Sequence, residues 1–182
     1  MSVVSIAQDL QGPSVAIPWL RRAGVTFPSV IDQFNVVGKL FKLKAIPIGI
    51  LVDEDGRLVR PVGGVDIDRE PFSKEVTVWA GTGEIPESWS TVGVQHQSVD
   101  AADHSEAEAD AHFQRAIVHL QNGKRDGAIK ELGRAYRLDP SNYIIRKQRW
   151  ALEAPEMFYA GRVDYEWQRR RQAAEDTVLA DQ

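Results

Sequence analysis

An α/β module followed by an all-α region is the fold class this chain predicts, and three observations carry it. Short β-branched apolar runs alternate with helix-period segments through residue 65. From about residue 106 the chain is rich in Ala, Arg, Glu and Leu at helical period, with no further strand pattern. The 182 residues are 43% hydrophobic and 26% charged, the composition of a globular chain of one ordinary domain or two small ones.

Composition also excludes classes of function. No apolar run approaches the roughly 18–20 residues of a membrane span, and no cationic-then-apolar signal peptide opens the chain. A net charge of −4 and a pI of about 5.6 argue against nucleic acid as a main partner, because phosphate binding needs a cationic field. The cysteine count is zero, which removes disulfides, thiolate catalysis and zinc–thiolate sites from this sequence.

In chain order, residues 3–7 (Val-Val-Ser-Ile-Ala) read as a buried strand. After the Gln11-Gly12-Pro13-Ser14 break, Val15, Trp19 and Leu20 recur at helical spacing, and Gly24 serves as the C-cap. Pro18 predicts a helix that starts late or bends there. Asp32 caps a second helix whose apolar face is Phe34, Val37, Leu40 and Phe41. Residues 48–52 and 58–62 form a hairpin around Asp53-Glu54-Asp55-Gly56, with a type I′ or bulged turn. That acidic turn opens like a calcium loop, but no bidentate Glu follows at the required position. Val76-Thr77-Val78-Trp79 reads as one more strand or an extended arm, and residues 95–105 as a linker. The expected organisation is an α/β module over 1–65, an arm and linker over 66–105, and a helical region over 106–182.

Residues 3–62 resemble the C-terminal two-thirds of a thioredoxin-fold domain, closest to the TlpA/ResA and AhpC/TSA-type redoxins. The residues carrying the resemblance are the first strand running into Asp9, Gly24-Val25-Thr26-Phe27-Pro28 before Asp32, Ile46-Pro47, and the hairpin Ile50-Leu51-Val52-Asp53-Glu54-Asp55-Gly56-Arg57-Leu58-Val59. The resemblance implies a cis proline at Pro47 on the substrate-facing wall, with the Ile46 main chain pairing with the substrate. Where members often carry Thr-Thr after that proline, this chain has Ile48-Gly49. Asp9 reads either as an acid or base beside a redox centre or as a cap of the strand-to-helix turn.

The family's strand–helix unit bearing Cys-x-x-Cys is absent from these residues, so the fold is an incomplete thioredoxin-like α/β. In the family that missing strand lies between the two that match residues 3–7 and 48–52. Three explanations compete: the chain begins downstream of its redox half, a degenerate domain closes its sheet with a second chain, or the fold assignment fails. The first is favoured, because the sequence is similar to redoxin-like proteins in which selenocysteine, encoded by UGA, replaces the redox cysteine.

Residues 109–142 resemble one tetratricopeptide repeat. Ala116, Gly123, Ala128, Leu132, Ala135, Leu138 and Pro140 fall at the family's small, turn and proline positions. His112, Arg115 and His119 depart from its usual aromatic and leucine positions. A lone repeat cannot bury both faces, so residues 143–153 are expected as a capping helix with Tyr143, Ile144 and Trp150 inward. Residues 163–178 form a further helix with Val163, Trp167, Ala174 and Val178 on one side. The remaining face is expected to cover the first module or a second copy rather than bind a peptide. Arg169-Arg170-Arg171 beside Glu166, Glu175 and Asp176 reads as a solvated face with i,i+4 pairing.

The functional expectation is a thiol/selenol–disulfide or peroxide reductase whose redox residues are absent from this chain, leaving Ile46 and Pro47 as the site residues. The alternative is a non-catalytic interaction adaptor. No cofactor and no metal site are implied, since His112 and His119 lack i,i+4 spacing and a third ligand. The partner expected is a protein or peptide, such as a disulfide-bearing substrate, or a second copy in a homodimer. The expected location is the cytoplasm.

Overall fold

The computed structural model describes residues 1–90 and 104–180. Among them are two short strands and nine helices, so the chain is mostly helical with a small parallel sheet. Strand β1 (Ser5–Ala7) pairs in parallel with β2 (Ser29–Ile31), in the register Ser5↔Ser29, Ile6↔Val30, Ala7↔Ile31. The expectation of a buried first strand is corrected. Val3, Val4 and Ile6 are exposed, and so is Val30 across the pair, because two strands leave a face and two edges uncovered.

Helix α1 (Pro13–Arg22) connects the strands. It starts at Pro13 and continues through Pro18, so it is not late. Pro13 at the first helical position has no amide to orphan, and Pro18 lies on an exposed side. Its end is a Schellman motif: Gly24 N–H donates to the Arg21 carbonyl and Val25 N–H to that of Leu20. Gly24 supplies the required positive φ of 62°.

Asp32 does cap helix α2 (Val36–Leu40), its two carboxylate oxygens each accepting at 2.8 Å from the Val36 and Val37 amides. The expected apolar face is not buried, however, with Phe34 at 47% and Leu40 at 73% exposure. The buried residue of this short helix is Gly38, where a Cβ would run into the Asn35 side chain. The hairpin is reduced to two antiparallel bridges, Gly49↔Gly63 and Val52↔Leu58. Its turn is held by Asp53, whose Oδ1 accepts from the amides of Asp55 and Arg57, with Gly56 at φ 78°.

Residues 76–79 are neither strand nor arm. They lie inside helix α3 (Phe72–Thr82), followed by α4 (Glu87–Ser90). Val76 and Trp89 pack on Val59 of the hairpin in a small core joined by Leu51, Phe72 and Trp79. Burial of that aromatic face against the hairpin outweighs the β propensity of Val-Thr-Val-Trp. Glu75 fastens the two helices by accepting from Trp89 Nε1 at 2.9 Å. The linker expected over 95–105 lies outside the described residues up to position 103.

The second half is helical throughout: α5 (His104–Gln121), α6 (Arg125–Leu138), α7 (Tyr143–Glu153), α8 (Glu156–Tyr159) and α9 (Tyr165–Ala180). Ala116 and Ala128 are fully buried where α5 and α6 approach. Gly123, at φ 68°, turns the chain between them. Helix α7 has the bounds expected of the capping helix, with Ile144 and Trp150 each 1% exposed. Its N-terminus is capped by Asn142, whose Oδ1 accepts from the Ile144 and Ile145 amides. Val178, grouped with Trp167 on one side of the last helix, is 57% exposed. No described helix is long and apolar enough to cross a membrane.

The histidine and arginine singled out on α5, with Arg134 on α6, converge on one buried carboxylate. His112 Nδ1 lies 2.6 Å from Glu131 Oε2, which also accepts from Arg115 Nε at 3.1 Å, and Arg134 pairs with the other oxygen. The His112 contact above all, with Arg115 and Arg134, holds the Glu131 carboxyl down to about 2 from an ordinary 4.5. A depressed folded pKa means the stabilisation is present above pH 4.5 and is lost as pH falls toward about 2. Urea midpoints measured from pH 5 to pH 2 should therefore fall more steeply for the native chain than for Glu131→Gln. Parallel pH dependences in the two proteins would contradict this.

Candidate functional site

Two places merit description as a site: the C-terminal end of the small sheet, and the Ile46–Pro47 turn that the resemblance singles out. The first is occupied by the protein itself. Residues 8–11 leave β1 and enter the helical region, where Leu10 is 1% exposed and belongs to the core built from Phe113, Ala116, Ile117, Leu132 and Ile145. One face of the α5–α6 pair is thus covered from within the chain.

The main chain around Leu10 is fixed by one side chain. Gln148, buried in α7, accepts from Leu10 N–H at 3.2 Å and donates from Nε2 to the Gln8 carbonyl at 3.0 Å. A carboxamide offers one donor and one acceptor in the spacing of a peptide unit, so Gln148 substitutes for a neighbouring strand. The Leu10 carbonyl is met from the other side by Gln33 Nε2 at 3.0 Å.

Asp9 takes the turn-capping role. Its Oδ1 accepts from Gln11 N–H at 2.9 Å, and its Oδ2 accepts from the Tyr159 hydroxyl at 2.7 Å. Gln11 Nε2 donates to the same hydroxyl at 2.9 Å. Burial pushes the Asp9 carboxyl above the usual aspartate range, against the lowering effect of these two bonds. Burial, and then the Asp9 charge, push the Tyr159 phenol far above its ordinary 10.0. The phenol therefore remains an O–H donor to Asp9. Both carboxylate oxygens are engaged, Oδ1 in the local turn and Oδ2 in joining the two halves through Tyr159.

Ion pairs continue the seam. Lys39 meets Asp110 at 3.0 Å, while Lys44 reaches Glu106 at 2.7 Å and Asp139 at 3.3 Å. The Lys44 carbonyl accepts from Tyr143 N–H at 2.7 Å at the start of α7. None of Leu10, Gln148 or Tyr159 stood out in sequence as a seam residue. A lone leucine in the polar break Gln8-Asp9-Leu10-Gln11 was the available signal.

The Ile46–Pro47 turn follows directly from Lys44. Its peptide is cis, Pro47 is exposed and Ile46 is 37% exposed. Neither the amide nor the carbonyl of Ile46 forms a hydrogen bond to any described residue. Backbone polar groups left outside the protein's own ladders are available to water or to an extended chain. Among the described residues, no group of three or more His, Asp or Glu is placed to hold a metal ion.

Comparison with known protein families, with curated proteins and with solved structures finds no match to this chain.

Proposed function

We propose that this chain is the C-terminal part of a thioredoxin-like redoxin, a thiol/selenol–disulfide or peroxide reductase whose redox-active residues lie outside these 182 residues. The observation that carries the reading is the exposed Ile46–Pro47 turn with its unpaired main chain. It is a ready position for one residue of an extended substrate to hydrogen-bond. The open edge of β1 supports it, because among the described residues β1 pairs only with β2 and not with residues 49–52.

In the proposed reaction a thiolate or selenolate attacks one sulfur of a substrate disulfide and expels the other as thiolate. A resolving thiol then attacks the mixed bond and releases the reduced substrate, itself becoming oxidised. With no cysteine in the chain, both groups must come from elsewhere. The residues described here would present the substrate strand and exclude water behind it.

The test uses the protein isolated from its native cells. Its intact mass is expected to exceed 20.3 kDa by several kilodaltons and to include a peptide bearing Cys or Sec. Disulfide or peroxide reduction by that protein should fall about tenfold in Ile46→Pro, which removes the pairing amide while leaving the buried core untouched. An active protein insensitive to Ile46→Pro would remove the role given to this turn. A 20.3 kDa protein without reductase activity would instead favour the adaptor reading, with the open β1 edge as its docking surface.

A further inference from the structure

A cavity of about 210 Å³ lies between α7 and α9. Its apolar walls are flat: the rings of Tyr143, Trp150 and Tyr165 line it. Trp150 is 1% exposed and Tyr165 63%, so one wall belongs to the core and another to the surface.

The charge in this cavity is one-sided. Lys147 and Arg169 line it, and no acidic residue does. Their neighbours are all paired: Arg170 with Glu166, Arg171 with Glu153 and Glu175, Arg149 with Glu175, and Arg146 with Asp176. Neither Lys147 nor Arg169 has a carboxylate within ion-pair distance among the described residues. Burial without a counter-ion pushes the Lys147 ammonium below the usual lysine range. A cation so placed gains from any anion that enters.

Hydrogen-bonding capacity is also unspent. Gln168 is 7% exposed and lines the same cavity, yet its carboxamide forms no hydrogen bond to any described residue. Its amide atoms keep contact with solvent at the cavity, where they can bond an entering ligand in place of water. Gln172, beside it, already donates to the Tyr143 hydroxyl at 2.7 Å.

We infer that this cavity binds a small aromatic carboxylate, its anionic end held by Lys147 and Arg169 with the Gln168 amide donating, and its ring among Tyr143, Trp150 and Tyr165. The volume is below the roughly 300–1,000 Å³ of sites for drug-sized ligands, which limits the occupant to a single ring with a short acidic arm. An inorganic anion alone would use the cations and leave the aromatic walls bare.

Calorimetric titration of the full chain with phenylacetate, phenylacetamide and inorganic phosphate tests the assignment. Phenylacetate is expected to bind, with phenylacetamide and phosphate each at least about tenfold weaker. Lys147→Met and Arg169→Gln should each weaken phenylacetate binding by about tenfold. Arg169 is exposed, so its variant keeps the fold and the test even if Lys147→Met does not. Binding should also raise the titration midpoint of the Lys147 ammonium. The inference fails if phenylacetate does not bind by about 10 mM, if the amide or phosphate binds equally well, or if Arg169→Gln leaves the affinity unchanged.

Discussion

Leu10→Ala is expected to destabilise the chain by about 2–5 kcal/mol, the range for truncating a fully buried leucine. Its side chain comes from the first half and is buried in the core of the second. The substitution opens a cavity between α5, α6 and α7 and loosens the contact that holds residues 8–11 against Gln148. Chemical denaturation reads the loss as a lower midpoint. Leu40→Ala is the internal control, since Leu40 is 73% exposed and should shift stability by no more than about 0.5 kcal/mol. Equal effects from the two leucines would mean that the halves are not joined through Leu10.

Glu175→Ala is expected to cost about 3–5 kcal/mol, because it strands buried cations. Glu175 accepts from Trp150 Nε1 at 2.8 Å and from Arg171 Nε at 2.8 Å, and it also pairs with Arg149. Arg146, 3% exposed, stacks over Tyr136 and Tyr143 and has Glu175 Oε2 within 3.7 Å. Removing the carboxylate leaves Asp176 as the remaining acidic partner of Arg146. Helix α9 should then separate from α7, giving early proteolytic cleavage near residues 160–165 and a lower melting temperature. The exposed Arg170–Glu166 pair provides the contrast: Arg170→Ala should change stability by less than about 1 kcal/mol. If Glu175→Ala behaved like Arg170→Ala, the buried network would not be what holds α9.

Much of the local structure was legible because its causes are local. Gly24 ends α1 and Gly123 turns α5 into α6, each by supplying a positive φ. Asp32 caps α2 from the position anticipated, and Asp53 with Gly56 closes the hairpin turn. The pairing expected of Arg169-Arg170-Arg171 holds for Arg170 with Glu166 and Arg171 with Glu175, both four residues apart. Arg169 departs from it, and that departure marks the cavity between α7 and α9.

The readings that failed depended on what each face meets. The Val-Thr-Val-Trp run has a strand's composition, but the rings of Trp79 and Trp89 meet at 5.8 Å beside a hairpin that needs cover, and the segment winds into α3. Phe34 and Leu40 have a helix's apolar spacing, yet no described element packs over that side of α2. The Ile46–Pro47 turn was identified by resemblance; its exposure and unpaired main chain could be read only once the neighbouring Lys44 was seen tied to Glu106, Asp139 and α7.

By itself the sequence determined the glycine C-cap of α1, the Asp32 cap of α2 and the bounds of α7, the order of a mixed module before a helical one, and the absence of any thiol chemistry within the chain. Tertiary structure alone decided that Leu10 closes the helical core, that Gln148 replaces a strand partner 138 residues away from Leu10, and that Lys147 and Gln168 face an open cavity without partners. The division has one physical cause. Caps, turns and helical period are set by residues within about one turn of each other, whereas burial and hydrogen-bond satisfaction depend on which distant surface arrives.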